Sequence, residues 1–230
     1  MNKNPFFSII LPTFNQSNFL KKAVQSIVSQ EFEDWELLII DNFSTDNTTK
    51  VINNFRDTRI KTIKIHNNGI LAKSRNVGVK KSKADWICFI DSDDIWYTEK
   101  LKYSYQYIKQ LEPDVLYHPL HFLSNRIVKI KIPDKIKSLN KPIIKDLFLN
   151  GNGIGQSSVV LRKKILEKIN YISEKKDRYS WEDFDTWIRI SSISDKFFQI
   201  PLTLGAIWVG PENISNLDRT VFNYENIKWL

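Results

Sequence analysis

Short apolar runs alternate with amphipathic segments over the first hundred residues. Strands are predicted at 6–11, 35–40, 60–65 and 86–90. The last of these is an apolar run bounded by a polar switch, which is typical of a buried central strand. Segments with apolar residues at helical spacing lie between them, at 17–28, 48–55 and 71–81. This alternation predicts an α/β fold with a Rossmann-like, mostly parallel central sheet flanked by helices.

The second half has a less regular pattern and predicts a smaller, mixed arrangement. Helices are predicted at 97–111, 163–169 and 181–193, and strands at 157–161, 197–200 and 204–209. The stretches 115–123 and 126–132 are interpreted as a hairpin, and the basic stretch 135–145 as a loop. With no internal repeat or linker, we expect one domain over 1–215, with halves 1–96 and 97–215 and a tail at 216–230.

A glycine cluster at Gly151, Gly153 and Gly155 interrupts this second half. It has the composition of a phosphate-binding loop, but no Lys-Ser/Thr pair follows it and no clean strand precedes it. We interpret it as a flexible turn, with a phosphate cradle as the less favoured alternative.

Three carboxylates follow the strand at 86–90 within four positions: Asp91, Asp93 and Asp94. Carboxylates packed so closely repel one another unless a cation lies among them. In open α/β sheets, ligands bind at the carboxyl ends of the strands, which is where this cluster is predicted. A hard divalent ion such as Mg²⁺ or Mn²⁺ fits these ligands. The alternative is an acidic helix cap, since Asp is a good N-cap residue.

A second acidic cluster, Glu182, Asp183 and Asp185, lies in the first turn of the helix predicted at 181–193. The helix macrodipole favours carboxylates there without any chemistry, so a structural role is sufficient. Apolar neighbours would bury one side of that helix, and Asp183 could then face a cleft. Both interpretations stay open on the residues alone.

Composition narrows the classes of partner. The 230 residues carry a net charge of +8, which is compatible with nucleic acid, an anionic membrane surface, phosphorylated small molecules or simply a solvated surface. Nucleic acid is the weakest of these, because no zinc-finger or RNA-recognition signature is present. One cysteine, no secretion signal and no apolar run of about 20 residues lead us to expect a cytoplasmic protein.

Five motifs, taken in order, resemble the family 2 glycosyltransferases. Residues 8–15 are similar to the family's first strand and donor-site turn, and 38–46 to its I-V-D-D-G-S-T-D block. The segments Asn68-Gly69 and 74–78 match its N-x-G and R-N-x-G pattern. Residues 89–94 match its DxD motif, and Glu182-Asp183 its E-D pair. The resemblance implies a GT-A fold, with a nucleotide-sugar half at 1–96 and an acceptor half at 97–215.

The resemblance also implies roles for individual residues. Asp41 would accept the ring N–H of uracil, Asp91 would bind the ribose, and Asp93 would bind the metal. Asp183 would be the general base of a single-step inversion, as expected where no protein nucleophile is used. The residues implied in nucleotide-sugar binding are Pro12, Thr13, Asn15, Asp41, Arg75, Asp91, Ser92 and Asp93.

Two departures from the family pattern bear on the site. Asn42 and Phe43 stand where the family often has Asp and Gly. Gly210 stands where some members have a metal-binding His. The metal is therefore expected to be held by Asp93 and phosphates alone, or with Glu212. Glu182 and Asp94 are candidate secondary residues of the site.

The sequence thus predicts a metal-dependent inverting glycosyltransferase that uses a nucleotide-diphospho-sugar, expected to be a UDP-sugar. By family analogy and charge, we expect a glycan or lipid-diphosphate acceptor, bacterial surface polysaccharide as the product, and peripheral contact with the inner membrane. The aromatic tail could pack back on the domain, form a homodimer or contact a membrane, and the sequence does not choose among these. The alternatives are a nucleotidyltransferase on a related fold and a sugar-nucleotide-binding or scaffold protein without turnover.

Overall fold

The computed structural model describes residues 4–123, 138–175 and 181–210. Its strands are β1 (Phe7–Thr13), β2 (Trp35–Asp41), β3 (Ile60–Lys64), β4 (Trp86–Phe89), β5 (Ile95–Trp96), β6 (Val115–Tyr117), β7 (His121–Leu123), β8 (Val160–Arg162), β9 (Phe197–Gln199) and β10 (Gly205–Trp208). Its helices are α1 (Ser17–Val28), α2 (Thr48–Asn53), α3 (Leu71–Lys81), α4 (Lys100–Leu111), α5 (Ile143–Asn150), α6 (Lys163–Lys168) and α7 (Glu182–Ser191). A 3₁₀ turn spans Gln156–Ser158.

The main sheet has the strand order β3-β2-β1-β4-β8-β6-β9. Strands β1 to β4 are parallel to one another, while β8 runs antiparallel to both β4 and β6. The register pairs Thr13 at the end of β1 with Asp41 at the end of β2. The prediction of a mostly parallel sheet is confirmed, and its carboxyl edge collects the residues after β1, β2 and β4.

Two hydrophobic layers cover the two faces of this sheet. The alternate residues Phe7, Ile9 and Leu11 of β1 pack in the layer that holds α1, whereas Ile10 packs in the layer that holds α3 and α7. Because side chains alternate along a strand, a run buried on both faces is mostly apolar, as β1 is apart from Ser8 and Thr13; the hydroxyl of the buried Ser8 donates to Glu36 at 2.7 Å. Packing in these two layers fixes the strands and helices that carry the carboxyl edge of the sheet.

A smaller sheet, with the order β5-β10-β7, stands beside the acidic residues that follow β4. Strand β5 begins directly after Asp94 and pairs antiparallel with β10, and β10 pairs parallel with β7. The strand predicted at 204–209 therefore belongs to this second sheet. The pairing of β5 with β10 fixes the position of the chain directly after Asp94.

The hairpin predicted over 115–132 is wrong in its first arm. Residues 115–123 form two separate strands, β6 in the main sheet and β7 in the small one. Pro119 lies between them and lacks the N–H that a continuous strand would donate, so the chain leaves one sheet and enters the other. The second arm, 126–132, lies outside the described residues, as do Glu212 and the tail at 216–230.

Two further differences lie around the glycine cluster. The stretch predicted as a loop ends in α5, which begins at Ile143 and buries Ile143 and Leu147. The strand predicted at 157–161 is a 3₁₀ turn followed by β8. Within the three described ranges, no helix has both the length and the apolar character needed to cross a membrane. The division into halves stays a prediction.

Gly78 allows α3 to approach β1 closely, and it provides a test of this packing. A Cβ built on Gly78 would lie 2.5 Å from Cγ2 of Ile10, a buried core residue. Gly78→Ala gains about 1 kcal/mol of helix propensity but overpacks the core at a cost of about 1–3 kcal/mol, so we expect a net loss of stability in urea unfolding. Val77→Ala, on the half-buried side of the same helix, is the control; a Gly78→Ala protein as stable as wild type would contradict this packing.

Candidate active site

At the ends of β1 and β2, two buried oxygen atoms have no hydrogen-bond partner among the described residues. Asp41 is fully buried, and its Oδ1 accepts the N–H of Ser44 at 2.9 Å. Its Oδ2 lies 4.0 Å from Nζ of Lys64 and, like Oγ1 of Thr13, has no hydrogen-bond partner in the described part of the chain. Buried polar groups are rarely left unpaired, so these two atoms favour a ligand at this edge.

Asn15 ties the turn after β1 to the loop after β2. Its N–H donates to Oγ of Ser44 at 3.0 Å, and its Oδ1 accepts the N–H of Thr45 at 2.8 Å. Asn15 takes a left-handed conformation with φ of 51°, which Asn tolerates better than most residues. Pro12 lies inside β1 opposite Ile40 and is buried, so the strand extends two residues beyond the predicted end.

Phe43, which stands in place of the family glycine, keeps the left-handed backbone that a glycine would adopt. Its φ is 55°, an uncommon and strained value for a bulky residue. Its ring stacks on that of His66, with centroids 4.0 Å apart and an interplanar angle of 14°. This contact offsets part of the backbone strain, and 43% of Phe43 stays exposed beside the loop that covers Asp41.

The acidic turn after β4 divides into a buried and a half-buried part. Asp94 is buried: its Oδ1 accepts the N–H of Trp208 at 3.0 Å, and its Oδ2 accepts the hydroxyl of Ser157. It therefore joins the turn to β10 and to the 3₁₀ turn. Asp91 and Asp93 are only half-buried, and Ser92 between them is buried.

Burial, together with neighbouring carboxylates, raises the pKa values of Asp93 and Asp94. Burial and the charge of Asp91 raise the pKa of Asp93 to about 6. Burial, with Asp91 and Asp93 nearby, raises the pKa of Asp94 well above its ordinary value. A divalent cation at Asp93 would remove this repulsion, and hard carboxylate oxygens suit Mg²⁺ or Mn²⁺. In the described ranges, no three His, Cys, Asp or Glu side chains are grouped to hold a metal ion by themselves.

Arg75 joins the two acidic clusters. Its Nη2 lies 2.7 Å from Oδ1 of Asp91, and its Nη1 lies 2.8 Å from Oε1 of Glu182. Only 3% of Arg75 is exposed, so it is not the surface arginine that a basic helix could equally have carried. Burial opposes its charge, but Asp91 and Glu182 outweigh that effect and raise the arginine pKa. The acidic turn and the start of α7 are thereby brought together.

Asp183 follows Glu182 at the start of α7, where both carboxylates lie in the first helical turn. Its Oδ2 accepts the side-chain N–H of Asn152 at 3.0 Å, and its Oδ1 accepts the backbone N–H of Phe184 at 2.7 Å. Burial and the neighbouring Glu182 nevertheless raise the pKa of Asp183 to about 6. A carboxylate with this pKa is ionised at neutral pH and is more basic than an ordinary aspartate, as a general base requires.

Sequence reasoning did not single out Ser157 or Asn152. Ser157 Oγ accepts the N–H of Asp91 at 3.1 Å and donates to Asp94, so it holds the acidic turn from within. In the sequence, Asn152 is apparent only as part of a glycine-rich turn. Contacts across 31 and 66 positions of sequence leave no local pattern, so neither residue could be found from spacing.

Known proteins are similar to this chain in sequence and in fold. The profile of the family described as Glycosyl transferase family 2 matches residues 8–169, more than half of the chain. The chain belongs to glycosyltransferase family 2. It is 31% identical over 177 residues to UDP-Glc:alpha-D-GlcNAc-diphosphoundecaprenol beta-1,3-glucosyltransferase WfgD of Escherichia coli, covering 76% of this chain and 67% of WfgD.

Two further proteins of Staphylococcus aureus are similar. This chain is 38% identical over 114 residues to poly(ribitol-phosphate) beta-N-acetylglucosaminyltransferase TarP, covering 47% of this chain and 35% of TarP. The crystal structure of TarS 1–349 with UDP-GlcNAc superposes with a TM-score of 0.76 at 22% identity, covering 90% of this chain and 60% of that one. This likeness establishes the GT-A fold, and the chain spans about three fifths of that structure.

An archaeal structure shares the fold at greater distance. A mannosyltransferase from Pyrobaculum calidifontis, in complex with GDP-Man and Mn²⁺, superposes with a TM-score of 0.69 at 12% identity, covering 98% of this chain and 63% of that one. The fold is therefore shared by proteins whose structures hold different nucleotides, and the nucleotide must be inferred from the residues of this site.

The buried charges around Arg75 give a stability prediction. Arg75→Met keeps the volume but leaves Glu182 and Asp91 without their partner, so we expect it to lower the free energy of unfolding by about 3 kcal/mol at pH 7.5 in urea titrations. Lys102→Met, which breaks the exposed pair with Glu31, should leave stability unchanged within error. Equal stability of the two variants would contradict a buried structural role for Arg75.

Proposed function

We propose that this glycosyltransferase moves a sugar from a nucleotide-diphospho-sugar to an acceptor hydroxyl with inversion at the anomeric carbon. The observation that carries the proposal is the chain of contacts from Asp91 through Arg75 to Glu182, beside Asp183. These contacts support the proposal, because Asp183 then lies near a carboxylate turn suited to a metal–diphosphate group. Thr13, Asp41 and the turn at Asn15 complete a nucleoside site on the same sheet edge.

The donor is proposed to be a UDP-sugar. Oδ2 of Asp41, which has no hydrogen-bond partner among the described residues, supplies an acceptor for the single ring N–H of uracil, and Oγ1 of Thr13 supplies a second polar contact. Among the similar proteins, WfgD is named for UDP-Glc, and TarS is seen with UDP-GlcNAc. Asp91 would accept from a ribose hydroxyl, with Ser92 and Pro12 lining the same edge.

A divalent metal, Mn²⁺ or Mg²⁺, is proposed to bind at Asp93. The raised pKa of Asp93 and its half-exposed carboxylate fit such an ion, and Mg²⁺ is commonly held by one or two carboxylates together with substrate phosphates. When bound, the metal would neutralise charge on the departing nucleoside diphosphate. Glu212 remains a proposed further ligand, and Asp94 is a weaker one because both its oxygens are hydrogen-bonded within the protein.

Asp183 is proposed as the general base that removes the proton of the acceptor hydroxyl. The hydroxyl oxygen then attacks the anomeric carbon while the bond to the diphosphate breaks, so an α-linked donor gives a β-linked product. No protein nucleophile is needed, in contrast to the retaining mechanism with two carboxylates. Arg75 holds Glu182 and Asp91 in place and adds a fixed positive charge near the donor.

The acceptor is proposed to be a glycan or a lipid-diphosphate-linked sugar of a bacterial surface polysaccharide. WfgD is named for a diphosphoundecaprenol acceptor and TarP for poly(ribitol-phosphate), both of which carry phosphate. The net charge of +8 is suited to such anionic partners and to peripheral contact with an anionic membrane at its cytoplasmic face. A homodimer through the tail stays a proposal.

The donor site can be tested by calorimetric binding of UDP and GDP, with Mn²⁺ or with EDTA. We expect UDP to bind in a Mn²⁺-dependent manner and Asp93→Ala to abolish the metal-dependent part. Asp85→Ala removes an exposed carboxylate at the opposite end of β4 and should bind as wild type does. Failure of both nucleotides to bind under every metal condition would refute the donor site, and preference for GDP would refute the assignment of uracil.

Asp183→Asn tests the base. We expect UDP binding to persist while sugar transfer falls by about 10²–10⁴-fold, the usual contribution of a general base. Transfer by wild type should fall with a midpoint near pH 6 as Asp183 takes up a proton. Transfer that survives Asp183→Asn, or that has no acidic limb, would exclude this role.

The same variant should not lose stability. A carboxyl whose pKa is raised in the folded state binds its proton more tightly there, so its contribution to stability is present below its ordinary pKa of 3.8 and is lost as pH rises to about 6. At pH 7.5 the neutral Asn avoids that loss, so the Tm should equal or exceed that of wild type.

A further inference from the structure

One short segment, residues 151–158, touches both parts of the proposed active site. At its start, Asn152 donates to the carboxylate of Asp183 at 3.0 Å. Near its end, Ser157 accepts the N–H of Asp91 at 3.1 Å and donates to Oδ2 of Asp94. The indole N–H of Trp96 donates to the carbonyl of Ser157 at 2.7 Å, which fixes that end from a third side.

The segment is held rigidly between these contacts. It leaves α5 at Gly151, whose N–H donates to the carbonyl of Leu147 at 2.9 Å and whose φ is +78°. Ile154 is 2% exposed and packs in the layer that holds α3 and α7. A Cβ at Gly155 would lie 2.7 Å from Cδ1 of Leu120, so the chain passes close to its neighbours there.

The side chain of Asn152 is fixed at both of its polar atoms. Its Oδ1 accepts the N–H of Ile154 at 3.0 Å, which closes a tight turn within the segment. Because the carbonyl is committed to that N–H, the amide nitrogen is the atom that meets Asp183, and it can only donate. A donor held against a carboxylate stabilises the ionised form and fixes the direction of its lone pairs.

We infer that residues 151–158 form a positioning segment that sets the base carboxylate relative to the donor site, with Asn152 orienting Asp183 and Ser157 anchoring the acidic turn. This inference rests on the proposed function, because Asp183 must be the base for its orientation to matter. Asn152 and Ser157 are positioning residues, since each acts through a carboxylate or the backbone of the site.

Two charged groups act on Asp183 in addition to Asn152. Glu182, from the same helix, raises the pKa of Asp183, and Arg75, from α3, lowers it. Loss of the Asn152 donor removes one stabilising contact of the ionised form while Glu182 and Arg75 stay in place. The pKa of Asp183 must therefore rise in Asn152→Ala, and it must rise further in Asn152→Asp, where a second carboxylate replaces the donor.

The decisive experiment is a pH titration of side-chain carboxyl groups by ¹³C NMR on the full chain, with Asp183 assigned by the signal that Asp183→Asn removes. We expect a midpoint near pH 6 in wild type, about one unit higher in Asn152→Ala, and higher again in Asn152→Asp. Asn150→Ala is the matched control, because Asn150 donates to Asp146 instead of the base. Unchanged midpoints in both Asn152 variants would overturn the inference; if Asn152→Ala fails to fold, the isosteric Asn152→Asp decides alone.

A crossed comparison separates positioning from general structural damage. Ser157→Ala should weaken Mn²⁺-dependent UDP binding and leave the Asp183 midpoint unchanged, whereas Asn152→Ala should do the reverse. Ser158→Ala is the control, since its hydroxyl donates to the carbonyl of Gly155. Equal effects of both variants on both measurements would overturn the inference. Wild type that does not bind UDP would refute the proposed donor, while the titration would still decide the role of Asn152.

Discussion

The rest of the candidate site depends on the ion pairs made by the buried guanidinium of Arg75. Two carboxylates from distant parts of the chain, Asp91 and Glu182, meet it at 2.7 and 2.8 Å. Desolvating three charges is costly, and the mutual attraction compensates only when the geometry is good, so the sheet edge and the start of α7 are constrained to one arrangement. The base candidate Asp183 takes its place from that constraint.

The strands and helices of the first hundred residues were predictable because each is indicated by a short, continuous stretch of sequence. The buried strands β1, β2 and β4 are mostly apolar runs, and the helices between them show helical spacing, so these elements follow from local pattern. The strand β3 is partly exposed and follows from its place in the alternation. Parallel strands then place Thr13, Asp41 and Asp91 at one edge. The second half mixes short strands from two sheets, and Pro119 marks the exchange between them where one hairpin was expected. There the local pattern was ambiguous.

The charged residues of the candidate site can be named from the sequence, whereas the contacts between them cannot. Carboxylates in motifs are recognisable by residue type and order, and the family resemblance supplies their expected roles. The partners of Arg75 lie 16 and 107 positions away, and the anchors Asn152 and Ser157 are common residues in a turn. Only the folded chain brings them together, since a contact over such distances leaves no period in the sequence.

At both acidic clusters, burial of a carboxylate affects the stability of the fold and also the chemistry proposed for the site. Burial next to another carboxylate raises the pKa values of Asp93 and Asp183 to about 6, which costs folding free energy at neutral pH. At Asp93 the proposed divalent cation would recover that cost upon binding. At Asp183 the proposed base needs no cation, because a basic carboxylate is the form that accepts a proton. The two aspartates differ in what lies beside each, Asp91 for Asp93 and Arg75, Glu182 and Asn152 for Asp183, and this difference supports the separate roles proposed for them.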